Sequence, residues 1–171
     1  KRSHKDKEGK LDSEPFHLTL LAKNYQGYLN LMKLVTISHV EGYYYRPRVD
    51  KALLKQYHEG LIALSGCTSG EFIRTLDEKG IEKATEVAKE YLEIFGQDNF
   101  YLELQKHPYE ISALNATDES IKKDQKELDR LQKLTWDAIK NLSQKLGIQP
   151  VATNDFHYIE KMDAEAQDIL L

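Results

Sequence analysis

The stretch Gly60-Leu61-Ile62-Ala63-Leu64-Ser65-Gly66-Cys67-Thr68-Ser69-Gly70-Glu71 decides the fold. Its first half is a short apolar run bounded by Gly and Ser, which has the length and content of a buried strand. Its second half is a turn of small residues that opens into a charged, helix-forming segment, predicted as helices over 71–76 and 80–95. A strand that hands over directly to a helix is the repeating unit of an α/β fold. The same unit recurs on either side. Upstream, residues 16–22 (Phe-His-Leu-Thr-Leu-Leu-Ala) read as a buried strand. Asn24 then caps a helix on which Tyr25, Tyr28, Leu29, Leu31, Met32, Val35 and Ile37 recur at helical spacing. Asp50 is placed to cap a short helix reaching Tyr57. Downstream, residues 100–104 form a third strand and residues 149–153 a fourth. Between them a long amphipathic helix over 120–146 ends at Gly147, the residue type best suited to a helix C-terminus. A final helix is expected over 163–171. Residues 106–119 lack a period and read as a loop.

Four strands alternating with helices predict a parallel sheet with right-handed crossovers and helices outside it. Four are too few to close a barrel, so the expected architecture is the later part of a larger (β/α) barrel. Residues 1–14 are charged and polar with little to bury, and are expected to be a flexible lead before a single domain over 15–171. Of the 171 residues, 40% are apolar and 30% charged, enough for a packed core. With 24 basic and 28 acidic residues the net charge is -4, which argues against a chain that coats nucleic acid but allows a local basic groove. One cysteine excludes an internal disulfide and fits a reducing, cytoplasmic compartment. No apolar run approaches the roughly 20 residues of a membrane span. The chain starts without Met and ends on Asp168-Ile169-Leu170-Leu171, so a piece of a longer protein is expected.

In parallel α/β folds ligands gather at the carboxyl ends of the strands, which directs attention to two places. Asp155 and His157 follow the fourth strand, two apart, so in extended backbone they share a face. A carboxylate oxygen and an imidazole nitrogen there suit Zn, Mn or Fe; the same residues could equally be a helix cap and a packed polar side chain. Cys67 follows the second strand at a helix N-terminus, where a thiolate is favoured. It is a candidate ligand, or a small core residue. His17, on the first strand, is a weaker candidate by itself. The loop Tyr43-Tyr44-Tyr45-Arg46-Pro47-Arg48 combines aromatic planes with two guanidinium groups. Arg46 and Arg48, with His39 just before the loop, could hold a phosphate-bearing substrate; alternatively the tyrosines cover the barrel edge. No Gly-rich phosphate loop, no GxSxG and no CxxC is present.

Several strings, taken in order, resemble a known family. They are His17-Leu18-Thr19-Leu20-Leu21-Ala22-Lys23-Asn24, Gly27-Tyr28-Leu29-Asn30-Leu31, Arg46-Pro47-Arg48-Val49-Asp50, residues 59–67, Tyr101-Leu102-Glu103-Leu104, and Val151-Ala152-Thr153-Asn154-Asp155-Phe156-His157-Tyr158. Together they resemble the PHP (polymerase and histidinol phosphatase) domain of the bacterial replicative DNA polymerase III alpha subunit. The resemblance implies a distorted (β/α)7 barrel with a multinuclear metal cluster of Zn, Mn or Fe at the strand ends. It implies His17, Cys67, Asp155 and His157 as ligands. A His-x-His pair, a further His and a Glu of the family's first strands have no counterpart here, so the isolated chain is expected to bind metal poorly. The implied activities are metal-dependent phosphoester hydrolysis of the 3′–5′ exonuclease type, or a scaffold role. The implied setting is a DNA-directed DNA polymerase, a nucleotidyltransferase whose Mg-dependent site lies outside this chain. DNA, deoxynucleotides, a sliding clamp and a proofreading exonuclease would be its partners, with no membrane. The alternative is a free-standing phosphoesterase of the histidinol-phosphatase type.

Overall fold

The computed structural model describes residues 3–154 and 156–170. A four-stranded sheet in the order β1-β2-β3-β4 forms its centre. The strands are β1 (Thr19–Ala22), β2 (Leu61–Leu64), β3 (Phe100–Gln105) and β4 (Pro150–Thr153). β2, β3 and β4 run parallel, as the alternating pattern predicts. β1 corrects that expectation: it is antiparallel to β2, with Thr19 opposite Leu64 and Ala22 opposite Leu61. The connection explains the reversal. From Ala22 the chain runs out along α2 (Tyr25–Val40) and back through residues 41–60, which include α3 (Lys51–Gln56). An outward and a return pass bring it to the end it left, so β2 begins beside Ala22. The single net crossovers through α4 (Glu71–Phe95) and α6 (Glu119–Leu146) produce parallel neighbours instead.

The caps read from the sequence form. Asn24 accepts from Gly27 N–H, Asp50 accepts from Leu53 N–H, and Gly147 ends α6 in the left-handed conformation. α4 is two helices joined at Gly80, whose φ of 80° and ψ of 177° suit glycine alone. The segment 106–119 corrects its reading as a loop, because Tyr109–Asn115 forms helix α5 packed on α6. No side chain caps its first turn, so no local signal announces it.

On β3, Phe100 and Leu102 alternate with Tyr101 and Glu103. The first pair packs into the core with Leu61, Ala63, Phe72, Ile139 and Ile148, under α4 and α6. On α6 the buried residues Thr135, Ala138, Ile139 and Leu142 follow helical spacing. α2 behaves otherwise. Its buried seam is Gly27, Asn30, Leu34 and Ser38, whereas Tyr25, Tyr28, Met32 and Val35 of the expected apolar stripe are exposed. The seam is set by close approach: a Cβ on Gly27 would lie 1.8 Å from Gly60 O, and Asn30 Nδ2 donates to Glu59 O. β1, expected as buried, is largely exposed as the sheet edge.

Residues 3–14, expected as a loose lead, pack against this body. They include α1 (Gly9–Ser13) and the buried Asp12. Arg48 holds them. Its guanidinium donates to the main-chain carbonyls of His4, Asp6, Asp12 and Gly42. His4 adds bonds from its N–H and its ring to Asp50. Burial alone would raise the Asp50 carboxyl. The bonds from His4 and Leu53 outweigh it and hold the group below the ordinary carboxylate range.

Candidate metal centre

The parallel strands end on one side of the sheet, where residues from their carboxyl ends line a groove. Cys67 stands beyond β2, Gln105 closes β3, and Thr153 closes β4 with Asn154 just beyond it. His17 reaches the same side because β1 is reversed: its amino end lies beside the carboxyl end of β2. The strand that breaks the parallel pattern therefore brings a candidate ligand, the His17 that precedes it, to the right end of the sheet.

The turn after β2 fits against the His17 backbone. His17 N–H donates to Ser69 O, and His17 bridges to Gly70. Gly66 has φ of 85°, and a Cβ on it would meet His17 O at 2.8 Å. Under these restraints Cys67 Sγ and His17 Nδ1 stand 3.6 Å apart, with His17 exposed and Cys67 partly buried. The spacing tests whether the pair suits a metal. A tetrahedral ion about 2.3 Å from a thiolate and about 2.0 Å from an imidazole nitrogen sets those two atoms roughly 3.5 Å apart. The pair fits as two donors to one ion. His157 lies exposed in a bend four residues beyond β4. Asp155 falls outside the described residues. Among the described residues, no three His, Cys, Asp or Glu side chains converge as a metal-holding group.

His39, in the last turn of α2, and Arg46 also line the groove, and both are exposed. Arg48 lines it too but is buried, with its donors directed at four carbonyls, which gives it a structural post. Farther along, Lys51 Nζ bonds Glu71 at 2.7 Å and Glu90 at 2.8 Å. Tyr91 O–H donates to Glu71 Oε2. Burial, then the Glu71 charge, push the Tyr91 hydroxyl well above the ordinary tyrosine range.

Sequence reasoning missed Glu103. This carboxylate is only 5% exposed in the middle of the sheet. It accepts from Gly66 N–H, Gln105 Nε2 and Thr153 O–H. The available signal was an acidic residue inside the otherwise apolar strand Phe100-Tyr101-Leu102-Glu103-Leu104.

Comparison with known proteins defines the class. Residues 3–107 match the family model described as PHP domain, and the chain belongs to that family. Its relatives include the DNA polymerase III subunit alpha of Thermus aquaticus, 38% identical over 166 residues, 96% of this chain and 12% of that protein. The subunit of the same name from Borreliella burgdorferi is 41% identical over 165 residues, 96% of this chain and 13% of the relative. That of Treponema pallidum is 42% identical over 156 residues, 91% of this chain and 12% of the relative. The chain thus spans about an eighth of the length of the curated relatives it matches. Among the described residues no helix is long and apolar enough to cross a membrane.

Proposed function

We propose that this chain is the PHP part of the alpha subunit of a bacterial replicative DNA polymerase, and that its strand-end groove takes divalent metal. The observation that carries the reading is the likeness along 91–96% of the chain to proteins all named DNA polymerase III subunit alpha. In that setting DNA and deoxynucleotides are substrates of the whole protein, with Mg at a polymerase site outside this chain. A sliding clamp and a proofreading exonuclease are its replisome partners, and its place is the cytoplasm.

At the groove, His17 and Cys67 are the donors from the β1–β2 side, and Asp155 and His157 those that follow β4. Bound Zn, Mn or Fe would polarise a phosphate and lower the pKa of a bound water, the requirements of phosphoester hydrolysis. The chain's own contribution is to hold the Cys67 sulfur and the His17 ring nitrogen at ligand spacing before any ion arrives. Arg46 and His39 are placed on the groove wall for a phosphate-bearing substrate. The site acts either as a 3′–5′ exonuclease or as a metal-stabilised scaffold; a metal-dependent exonuclease assay on the complete domain separates the two.

The first test is the size of the native gene product, read by blotting cell extract with an antibody to this chain. A band well above roughly 100 kDa, beyond single-domain size, is expected. A band near about 30 kDa would overturn the polymerase reading in favour of a free-standing phosphoesterase acting on small phosphate esters.

A further inference from the structure

The described candidate donors come from different parts of the chain: His17 and Cys67 flank the β1–β2 pair, and His157 lies four residues beyond β4. Cys67 and His17 belong to the β2 turn and its β1 neighbour; Asp155 and His157 follow β4. β3 lies between β2 and β4, and one side chain on β3 bonds both the turn before Cys67 and the last residue of β4. Glu103 Oε2 accepts from Gly66 N–H at 3.0 Å, the peptide next to Cys67. Glu103 Oε1 accepts from Thr153 O–H, two residues before Asp155, and from Gln105 Nε2 at 3.1 Å. The Glu103 main chain joins the same brace, its N–H donating to Ser65 Oγ at 2.9 Å. These partners are neutral donors. A buried carboxylate is costly unless its hydrogen bonds are made, and here both oxygens are occupied. Gly66 in turn presses on the backbone of His17. An unbroken chain of contacts therefore runs from Thr153 through Glu103 and Gly66 to the His17–Cys67 pair.

We infer that Glu103 is a positioning residue for the metal site: it sets the spacing between the Cys67 turn and the end of β4. The inference rests on the metal-site reading given above. Groups behind a ligand shell commonly govern affinity as strongly as the ligands' own orientation requires.

Co²⁺ titration of the chain, carried to millimolar metal so that a weak site still registers, tests this. The near-ultraviolet thiolate-to-cobalt absorption reports the Cys67–metal bond directly. Wild type should develop the band and Cys67→Ser should lack it. Glu103→Ala should lower Co²⁺ affinity by about 10- to 100-fold. Glu103→Gln keeps an acceptor for Gly66 and an amide able to bond the Thr153 hydroxyl, and should recover most of the loss. Thr153→Val cuts only the β4 end of the brace and should lower affinity severalfold. Wild-type affinity in Glu103→Ala overturns the inference. So does a Glu103→Gln loss as large as that of Glu103→Ala, because charge and not placement would then be at work. If circular dichroism shows Glu103→Ala unfolded, Thr153→Val decides, and unchanged affinity there overturns the inference. Absence of the band in wild type overturns the metal reading itself, an outcome distinct from a band that Glu103 does not influence.

Discussion

Tyr91 illustrates how a single side chain ties the two halves of α4 together through its polar tip. Its ring stacks on Phe100 with centroids 5.5 Å apart, Lys51 Nζ lies 4.7 Å from its centroid, and its hydroxyl donates to Glu71. Burial and the Glu71 charge raise its pKa in the folded chain, so its contribution to stability is full below the unfolded value of about 10 and is lost as pH rises from there toward the folded value. Urea unfolding across that alkaline range should show stability falling in wild type and falling less in Tyr91→Phe. At neutral pH Tyr91→Phe should cost about 1.5–3 kcal/mol, the range for a hydrogen bond to a charged acceptor. Equal alkaline slopes for the two proteins would contradict this account. Legibility at this scale follows chemistry. Cys67 and His17 are weak candidates by themselves and gain weight from the family strings that contain them; the structure sets Cys67 Sγ and His17 Nδ1 3.6 Å apart. Arg48 is visible as a cation, but the four carbonyls that occupy it come from positions 4, 6, 12 and 42, and carbonyls leave no mark in a sequence. Glu103 was hidden because its partners lie on three different strands or turns.

At the scale of elements, helices and their caps were readable because spacing and cap chemistry are local. The direction of β1 was not, since an apolar run looks the same whichever way it pairs; direction is decided by how many times the intervening chain crosses the sheet. The exposed stripe of α2 was misread for a related reason. Apolar spacing marks the buried face only where bulk fills the contact, and here the contact is backbone against backbone at Gly27 and Gly60. Two glycine substitutions separate these effects. Gly27→Ala would place its Cβ 1.8 Å from Gly60 O, and should cost more than about 3 kcal/mol as α2 is forced off β2. At Gly80 a Cβ meets nothing within 4 Å, so Gly80→Ala should cost only the backbone strain of its φ, about 1–3 kcal/mol. Urea midpoints in the reverse order would show that the α2 seam yields more readily than its geometry implies.

For the whole molecule, the question is where the folding unit begins. Composition sets the boundary at residue 15, because the lead has little to bury. The structure instead ties residues 4–12 to the body through Arg48 and Asp50. Deleting residues 1–14 should therefore lower unfolding stability by about 2–4 kcal/mol, the scale of breaking a buried hydrogen-bond network. Arg48→Ala should cost a similar amount in the full chain and much less in the truncated one, since most of its acceptors are then gone. Additive losses in that double-mutant cycle, measured by urea unfolding, would mean that Arg48 and the lead act independently and that the boundary at 15 stands.

The manner of that attachment has a consequence for variation. Arg48 reads the lead through carbonyl oxygens, which every amino acid carries. Side chains such as Lys5, Lys7 and Glu8 can be exchanged without disturbing those three bonds, whereas one residue inserted between His4 and Asp12 would move the oxygens out of reach. Apart from His4 and Asp12, whose side chains are themselves engaged, the segment is thus tolerant of spelling and intolerant of length, and a saturation library of substitutions beside a scan of single insertions would display the contrast in one experiment.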